Sequence, residues 1–350
     1  MTCDVGSIFG VRSLAQPSTR ISTAEAARIA ARHWGVEGVA QGLPAEVDEN
    51  FRLTSESGTF LLKVVPPDEP EALTDLVVSA LIHTSSRVRV SRVQEVLMTR
   101  PGSALAVFAD AAGNRRRARL TTFLEGTVLR SAPIDERLRR RLGAALADLG
   151  VALRDFDHPA ADRDLSWDLR HAGRMRAMLA EMQPTERRRS LDSSLQAFDD
   201  EVVPRLDRLP VQVVHNDLSK DNVVLADRGG LGVIDFGDVV RTQRANDVAV
   251  AMADHLGPGA RPFEPALDLV RGYLEVEPLL PEEIGILYEL TRTRIVTRIV
   301  GGEWRASRFP ENQEYLGRNV ERLWEVLRRL PRSPSAEDRG ELEAIAEAAG

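Results

Sequence analysis

The sequence predicts an α+β fold in two lobes, a small N-terminal lobe built on an antiparallel sheet and a larger, mostly helical C-terminal lobe. Residues 39–123 alternate short apolar and β-branched runs with turn residues, and they contain one helical pattern. After Gly126, apolar residues recur at helical spacing, and only residues 211–234 return to a strand pattern. Four segments are expected along the chain: a loosely ordered leader (1–20), the N-terminal lobe (21–124), the helical lobe (125–332) and an acidic tail (333–350).

Local signals predict the elements of the N-terminal lobe. Ser22 and Glu25 form a capping box that opens a helix, and Gly35 ends this helix after Trp34. Two alternating runs on either side of Gly58 indicate a hairpin. The other elements expected in this lobe are a helix at 70–83 and strands at 93–98, 104–108 and 115–123.

The C-terminal lobe is expected to open with a long amphipathic helix at residues 134–155. Its leucines recur at helical spacing, so that Leu138, Leu142, Leu146 and Leu149 share one face. This face predicts packing against the core of the lobe. Further helices are expected at 169–182, 190–206, 247–256, 265–275, 281–300 and 311–330.

Composition excludes several classes of protein. The 350 residues suffice for a two-lobed unit, and the net charge of −7, from 46 basic and 53 acidic residues, disfavours nucleic acid as a partner. The single cysteine, Cys3, cannot form an internal disulfide, which fits a reducing compartment. No apolar segment approaches the length of a membrane span. We therefore expect a cytoplasmic protein without a membrane partner, and its oligomeric state stays open.

The most informative stretch lies between residues 211 and 238. It contains the pattern H-x-D-x-x-x-x-N, and an Asp-Phe-Gly follows one hairpin later. Paired glycines in the turn supply the positive φ angles that a tight hairpin needs, so the return strand brings Asp235 beside Asn222. The strands expected here are 211–214, 222–226 and 231–234, with the turn at 227–230.

Three side chains of this stretch have the types that phosphoryl transfer requires. Asn222 and Asp235 offer hard oxygen ligands that suit Mg²⁺, which keeps its other positions for water and phosphate oxygens. Asp217, on the preceding loop, can orient an acceptor hydroxyl and take its proton. The alternative is that these are ordinary polar residues of surface loops. The combination of motif, strand order and spacing favours a site that uses a nucleotide and Mg²⁺.

Four further stretches carry a resemblance to a known family. They are Leu43–Phe51, Thr122–Leu129, Leu165–Leu169 and Gly232–Val240. Together with the motif above, they resemble the aminoglycoside phosphotransferase superfamily of small-molecule kinases, most closely its hydroxylysine-kinase-like branch. The resemblance covers about residues 20 to 330 and implies a two-lobed fold like that of protein kinases. One departure is Asn216, which stands where the family has Gly, and asparagine also tolerates turn conformations.

The resemblance and the strand pattern together indicate the nucleotide-binding residues. Lys63 lies in an apolar strand after the hairpin and is expected to reach the nucleotide phosphates, although a surface lysine is the alternative. In the hinge, the resemblance implies purine contacts from the Thr122 carbonyl and the Leu124 N–H. It also implies a flap over the phosphates at residues 44–50, with Asp48 and Asn50. In protein kinases a helix glutamate pairs with the lysine, but the matching position here is Val77, which cannot form an ion pair. Asp75 and Glu71 are nearby alternative partners, so the partner of Lys63 stays open.

The acceptor site is less well marked by the sequence. By resemblance, Trp167 and Asp168 lie near the acceptor, although Asp168 is equally well explained as a helix N-cap. Arg294 and Arg298 lie one turn apart on a helix and could hold a carboxylate, or they could form structural ion pairs. Tyr315 is a weaker candidate. The catalytic loop itself is expected to be supported by His215 and Asp247.

These observations favour a kinase that moves the γ-phosphate of ATP or GTP, with Mg²⁺, to a hydroxyl of a small amine-bearing metabolite. The resemblance implies a hydroxy-amino acid such as 5-hydroxylysine as the first candidate acceptor. An aminoglycoside or other antibiotic phosphotransferase is an alternative, and a nucleotide-binding pseudokinase is another. A protein kinase is disfavoured because the segment from Asp235 to Asp247 is too short for an activation loop.

Overall fold

A computed structural model describes residues 20–45, 48–308 and 313–349, with side chains described for 20–45, 48–307 and 320–348. The chain forms the two lobes expected from the sequence, and the α+β class is confirmed. Within the described ranges, no helix combines the length and the apolar character that a membrane span requires.

An antiparallel sheet organises the N-terminal lobe, with helix α1 packed on it. Ser22 Oγ accepts a hydrogen bond from the Glu25 N–H, and Gly35 ends α1 with a φ of 74°, as the capping signals predict. The elements of this lobe, in chain order, are α1 (Thr23–Trp34), β1 (Gly38–Leu43), β2 (Glu49–Ser55), β3 (Gly58–Val65), α2 (Glu71–Ser85), β4 (Arg92–Val93), β5 (Val96–Leu97), β6 (Ala106–Ala109) and β7 (Arg115–Thr122).

The sheet order is β1-β2-β3-β7-β5, with β6 also paired to β7. Leu53, Leu62 and Leu120 are fully buried between this sheet and α1. The predicted strand 93–98 is divided, because β4 pairs in parallel with a strand of the large lobe whereas β5 pairs with β7. Residues between β4 and β5 therefore cross between the lobes beside the hinge.

The large lobe is mostly helical and carries two small sheets. Its elements, in chain order, are β8 (Thr127–Val128), α3 (Glu136–Leu153), α4 (Arg176–Glu181), α5 (Glu186–Ala197), α6 (Val203–Leu206), β9 (Val211–Val214), β10 (Val223–Leu225), β11 (Leu231–Val233), β12 (Val240–Gln243), α7 (Arg244–Asp254), α8 (Glu264–Leu274), α9 (Pro281–Ile284), α10 (Leu287–Arg308), α11 (Gln313–Arg329) and α12 (Ala336–Ala349). One sheet has the order β4-β11-β10-β8, and β12 pairs with β9.

Three predicted helices differ from the observed elements. The helix expected at 169–182 begins as a 3₁₀ segment, Leu169–Met175, because the Asp168 carboxylate accepts the Arg170 N–H and tightens the first turn. The helix expected at 190–206 contains a π segment, Phe198–Val202. The helix expected at 281–300 is interrupted at Gly285, whose carbonyl accepts a hydrogen bond from Arg205.

Two segments were not fully foreseen. Strand β12 was not predicted. It follows the turn that contains the Asp-Phe-Gly and pairs antiparallel with β9. In the acidic tail, α12 runs for 14 residues and buries Leu342 and Ile345 against the large lobe. Arg261 and Arg271, which belong to the large lobe, both pair with Glu341 of α12. The tail is thus attached to the lobe by both apolar and ionic contacts.

Helices α3 and α8 cross at two glycines, Gly143 and Gly272. A Cβ at Gly143 would lie 1.9 Å from the Leu269 carbonyl oxygen, and a Cβ at Gly272 would lie 1.8 Å from the Arg140 carbonyl oxygen. The two backbones can approach this closely only because neither glycine carries a side chain.

We expect Gly143→Ala and Gly272→Ala each to lower the free energy of unfolding by about 1–3 kcal/mol, because the added methyl group overpacks the helix contact. Gly150→Ala is the matched control on α3, since its Cβ would meet no atom closer than 3.6 Å. That variant should be about 0.5–1 kcal/mol more stable, owing to the better helix propensity of alanine. Urea unfolding measures all three, and equal effects of the three changes would contradict this account of the crossing.

Candidate active site

His215 links the three pieces of backbone that carry the site. Its Nδ1 accepts the Asp217 N–H at 3.3 Å, and its Nε2 lies 3.2 Å from the Ile234 carbonyl oxygen and donates to it. The ring packs edge-on against Phe236, with 4.9 Å between centroids. Burial lowers the pKa of His215 to about 4, so the imidazole is neutral and keeps this donor–acceptor pattern.

The loop after His215 turns through a residue with positive φ. Asn216 has a φ of 64°, its backbone N–H donates to Asp247 Oδ1 at 2.7 Å, and its buried amide has no hydrogen-bond partner among the described residues. Burial raises the pKa of Asp247 to about 7, against the hydrogen bonds from the backbone N–H groups of Asn216 and His215. His215 and Asp247 thus both contact the backbone of the loop, and their supporting role stays a prediction.

Both oxygens of the Asp217 carboxylate are held by side chains. Asn222 Nδ2 donates to Asp217 Oδ2 at 2.6 Å, and Arg294 Nη2 donates to Asp217 Oδ1 at 3.1 Å. Burial raises the pKa of Asp217 to about 7; Arg294 opposes this rise, and the neighbouring carboxylates Asp238, Asp254 and Asp235 add to it. The carboxyl group is therefore close to half-protonated near neutral pH.

Asn222 and Asp235 lie side by side where β10 begins and β11 ends. The Ile234 N–H donates to the Asn222 carbonyl at 3.0 Å. Of the paired glycines in the predicted turn, Gly229 has a positive φ of 77° and Gly230 does not. The Lys63 ammonium lowers the pKa of Asp235 below its usual value, against the effect of burial, so Asp235 is ionised. Asp235 Oδ2 and Asn222 Oδ1 accept no hydrogen bond from the described residues.

These two free oxygens fit a magnesium ion. Mg²⁺ binds hard oxygen donors and commonly uses one or two protein ligands, completing its shell with water and phosphate oxygens. Among the described residues, no group of three or more His, Cys, Asp or Glu side chains could hold a metal. A cation in the cleft would therefore depend on a small ligand set of this kind and on oxygens from a bound nucleotide.

Lys63 lies inside the cleft and not on an exposed strand face. Its ammonium is 3.0 Å from Asp48 Oδ2 and 3.2 Å from Asp235 Oδ1. Asn50 stands directly opposite Lys63 in the β2–β3 register, and its buried Oδ1 lacks a hydrogen-bond partner among the described residues. Val77, at the position of the helix glutamate, is buried. The structure thus brings together Lys63, Asp48 and Asp235.

The hinge leaves one backbone donor free. The Thr122 N–H donates to the Glu95 carbonyl at 2.9 Å, and the Thr122 carbonyl has only a long contact of 3.4 Å from the Gln94 amide. In the part of the chain that the structure describes, the Leu124 N–H has no hydrogen-bond partner. The Leu124 side chain packs against Gly232, where a Cβ would come within 2.9 Å of it. This segment can therefore offer main-chain atoms to a purine.

The acceptor candidates from the sequence fall in different places. The Trp167 carbonyl accepts a hydrogen bond from Arg294 Nη1 at 3.3 Å, and this bond connects Trp167 to the arginine that pairs with Asp217. Asp168 is fully buried, accepts the Thr242 hydroxyl at 2.8 Å and caps the following 3₁₀ segment, which matches the N-cap alternative. The side chain of Tyr315 lies outside the described residues.

A cavity of about 160 Å³ opens beside Asp217 and contains charges of both signs. Arg294 and Arg298 of α10 line it together with Asp254 of α7. Arg298 pairs with Asp254. Burial raises the pKa of Asp254, but Arg298 and the hydrogen bond from the Lys220 N–H lower it by more, so the carboxylate is ionised. The other lining residues are Arg130, Ser219, Asp221 and Val250.

Three charged residues of this cavity were not predicted from the sequence. Asp254 lies two helical turns after Asp247, on the same face of an otherwise apolar helix, and this spacing is a signal that could have indicated it. Arg130 and Asp221 are 91 residues apart in the sequence, and they form a bidentate ion pair at the mouth of the cavity. No local pattern links these two residues, so only the folded chain reveals the pair.

A lysine on the sheet of a small lobe, facing an H-x-D-x-x-x-x-N loop and an Asp-Phe-Gly turn of a helical lobe, defines the kinase-like phosphotransferases. The chain belongs to the phosphotransferase enzyme family (APH), whose sequence profile matches residues 39–284. It is 23% identical over 314 residues to the hydroxylysine kinase of Bos taurus, covering 83% of this chain and 84% of that protein. The homoserine kinase of Rhodospirillum rubrum is 30% identical over 263 residues, with 73% and 76% covered.

Solved structures share the fold. Amicoumacin kinase hAmiN, in complex with AMP-PNP, Ca²⁺ and Ami, superposes with a TM-score of 0.65 at 17% identity, covering 92% of this chain and 91% of that one. The microcompartment-associated aminopropanol kinase gives 0.56 at 17% identity, with 91% and 93% covered. The family expected from the sequence is thereby confirmed, and the chain is a small-molecule kinase that phosphorylates an alcohol group.

We expect Asn216→Gly to leave stability nearly unchanged, because glycine adopts positive φ freely and the lost amide makes no hydrogen bond. Asn216→Val should lower the free energy of unfolding by about 1–3 kcal/mol, because a β-branched residue is strained at a φ of 64°. Chemical unfolding of both variants distinguishes the two effects. A valine variant as stable as the glycine variant would show that the loop relaxes out of this conformation.

Proposed function

We propose that this kinase transfers the γ-phosphate of ATP or GTP to the side-chain hydroxyl of a small hydroxy-α-amino acid, with 5-hydroxylysine and homoserine as the first candidates. The observation that carries the proposal is the cavity beside Asp217, which pairs arginines with aspartates in a small volume. The names of the relatives, hydroxylysine kinase and homoserine kinase, support the same class of acceptor.

Asp217 is the residue that acts on the acceptor. Its carboxylate orients the hydroxyl and takes the proton as the bond from the acceptor oxygen to the γ-phosphorus forms and the bond from that phosphorus to the bridging oxygen breaks. The nucleoside diphosphate leaves with the bridging oxygen. Asn222 and Arg294 fix the two carboxylate oxygens, so the base is held in one orientation before the acceptor arrives.

The nucleotide lies between the lobes in this proposal. Asn222 and Asp235 would hold Mg²⁺, which would neutralise the negative charge that develops during phosphoryl transfer. Lys63 contacts the α- and β-phosphates, and its burial beside Asp235 keeps the ammonium in the cleft. The Leu124 N–H and the Thr122 carbonyl contact the purine through backbone atoms.

The acceptor cavity fits a zwitterion. In this proposal Arg298 holds the carboxylate of the acceptor, because guanidinium groups bind carboxylates with two hydrogen bonds, and Asp254 holds the ammonium; both line the cavity. Arg130 and Asp221 supply a second pair of opposite charges at the mouth. Binding therefore exchanges ion pairs within the protein for ion pairs with the amino acid, without leaving a buried charge unpaired.

Size and composition disfavour the alternative functions. A cavity of about 160 Å³ is smaller than the roughly 300–1,000 Å³ of clefts that enclose drug-sized ligands, which disfavours a multi-ring antibiotic. A polycationic aminoglycoside would also meet Arg294 and Arg298. A pseudokinase is disfavoured because Lys63, Asp217 and Asp235 are all turned into the same cleft.

We expect kcat/KM to rise with pH and to level off above about pH 7, because Asp217 must be ionised to take the hydroxyl proton and its pKa is about 7 in the free enzyme. In Arg294→Met, the rise in kcat/KM should shift to higher pH, because the guanidinium that lowers the pKa of Asp217 is absent. Rates measured across the neutral range test both statements. If kcat/KM rises over the same pH range in Arg294→Met as in the wild type, the group that titrates is not Asp217.

We expect Arg298→Met to lower kcat/KM for a hydroxy-amino acid about 10- to 100-fold, because a charged hydrogen bond to the carboxylate is lost. The same variant should phosphorylate the corresponding amino alcohol, which lacks the carboxylate, as well as the wild type does. A coupled assay of nucleoside diphosphate release with 5-hydroxylysine, homoserine, 3-aminopropan-1-ol (homoserine without its carboxylate) and an aminoglycoside measures this difference.

Two controls accompany that assay. Arg292→Met removes an arginine of the same helix that is not among the cavity-lining residues, and its kcat/KM should equal that of the wild type. Asp217→Asn should bind nucleotide but lose turnover with every acceptor. If no acceptor is phosphorylated faster by the wild type than by Asp217→Asn, the enzyme assignment of this site is wrong. If amino alcohols are preferred over amino acids, the carboxylate assignment is wrong.

A further inference from the structure

The Lys63 ammonium is held by a carboxylate from the turn between β1 and β2. Asp48 Oδ2 lies 3.0 Å from Lys63 Nζ, and the two side chains are only 17% and 11% exposed. Asp48 comes directly before β2, two residues ahead of Asn50, which is opposite Lys63 in the sheet register. Because side chains alternate along a strand, Asp48 and Asn50 approach the lysine from the same face.

Helix α2 does not supply a partner for Lys63, although this helix does so in protein kinases. Its sequence contains two acidic residues, Glu71 and Asp75. Glu71 pairs with Arg115 at 3.4 Å, and Asp75 lies 3.2 Å from His158 of the large lobe. Neither carboxylate is directed at the lysine, and the position of the helix glutamate is occupied by buried Val77.

Helix α2 contacts both lobes, with its first turns bonded to β7 and the rest directed at the large lobe. In addition to the Asp75 contact, His83 Nε2 lies 3.1 Å from Asp155 Oδ1. Just after the helix, the backbone N–H groups of Arg89 and Val90 donate to the buried Asp148 carboxylate of α3 at 2.6 and 2.8 Å. Helix α2 is thus held by contacts that do not include Lys63, whereas Lys63 lies on the sheet of the small lobe beside Asp48.

We propose that Asp48 is the positioning residue for Lys63, in the place that a helix glutamate has in protein kinases. The ion pair ties the lysine to the turn that precedes β2, and so to the small lobe itself. The lysine therefore keeps its partner when the lobes move relative to each other, and the position of α2 does not control the nucleotide site. This inference concerns the nucleotide side of the cleft and is independent of the acceptor.

A double-mutant cycle on nucleotide binding tests the proposal. The dissociation constants of Mg·ATP and Mg·GTP are measured by calorimetry for wild type, Asp48→Asn, Lys63→Met and the double variant. Asp48→Asn should weaken binding about 10- to 100-fold, because the lysine loses a charged partner. In the Lys63→Met background the same change should alter binding less than about twofold, since Asp48 acts through the lysine.

Asp75→Asn is the matched control, because it removes a carboxylate of α2 that faces His158, and it should bind nucleotide within about twofold of wild type. Asp48→Ser serves as a second variant should Asp48→Asn unfold, and thermal unfolding without nucleotide establishes that each variant is folded. An equal loss in both lysine backgrounds would mean that Asp48 contacts the nucleotide itself and would overturn the proposal. A loss with Asp75→Asn as large as that with Asp48→Asn would assign the role to the helix.

Discussion

The hydrogen bond from the Ile234 N–H to the Asn222 carbonyl is the constraint on which the rest of the site depends. It fixes the register of the hairpin, and it thereby places Asp235 beside Asn222 at one edge of the cleft. A shift of one residue would turn Asp235 to the other face, because side chains alternate along a strand. His215 extends this constraint to the loop, since its ring bridges the Ile234 carbonyl and the Asp217 N–H.

Around this frame, buried charge is balanced in pairs. Asp217 has three carboxylates in its surroundings and is itself buried, and both effects favour its neutral form. Arg294 opposes them, so the carboxyl group is poised near neutral pH in place of being fully protonated or fully ionised. The Lys63 ammonium likewise opposes the effect of burial on Asp235. It lowers the pKa of Asp235 and stabilises the ionised form. The fold thus gives two neighbouring aspartates different protonation behaviour through the cations placed beside them.

Local signals predicted most of the elements, and the failures have a common cause. The capped helix α1, the hairpin after Asn222 and the long helix α3 are specified by residues a few positions apart, so their positions followed from the sequence. The breaks at Gly285 and in Leu169–Met175 depend on Arg205 and on the buried Asp168, which act from outside the helical pattern. Strand β12 exists because β9 offers it a partner, and pairing between distant segments leaves little trace in a short run of sequence.

The sequence by itself was enough to predict the class of reaction, and it predicts Asp217, Asn222 and Asp235 as site residues from their types, order and spacing, and Lys63 from its apolar strand. Only the tertiary structure decided which basic side chain pairs with which carboxylate. Arg294 and Asp217 are 77 residues apart, and Lys63 had several acids within possible reach before the fold placed Asp48 against it and turned Asp75 towards His158. Ion pairs are governed by distance in space and by exclusion of water, and neither quantity is encoded in the spacing of residues along the chain.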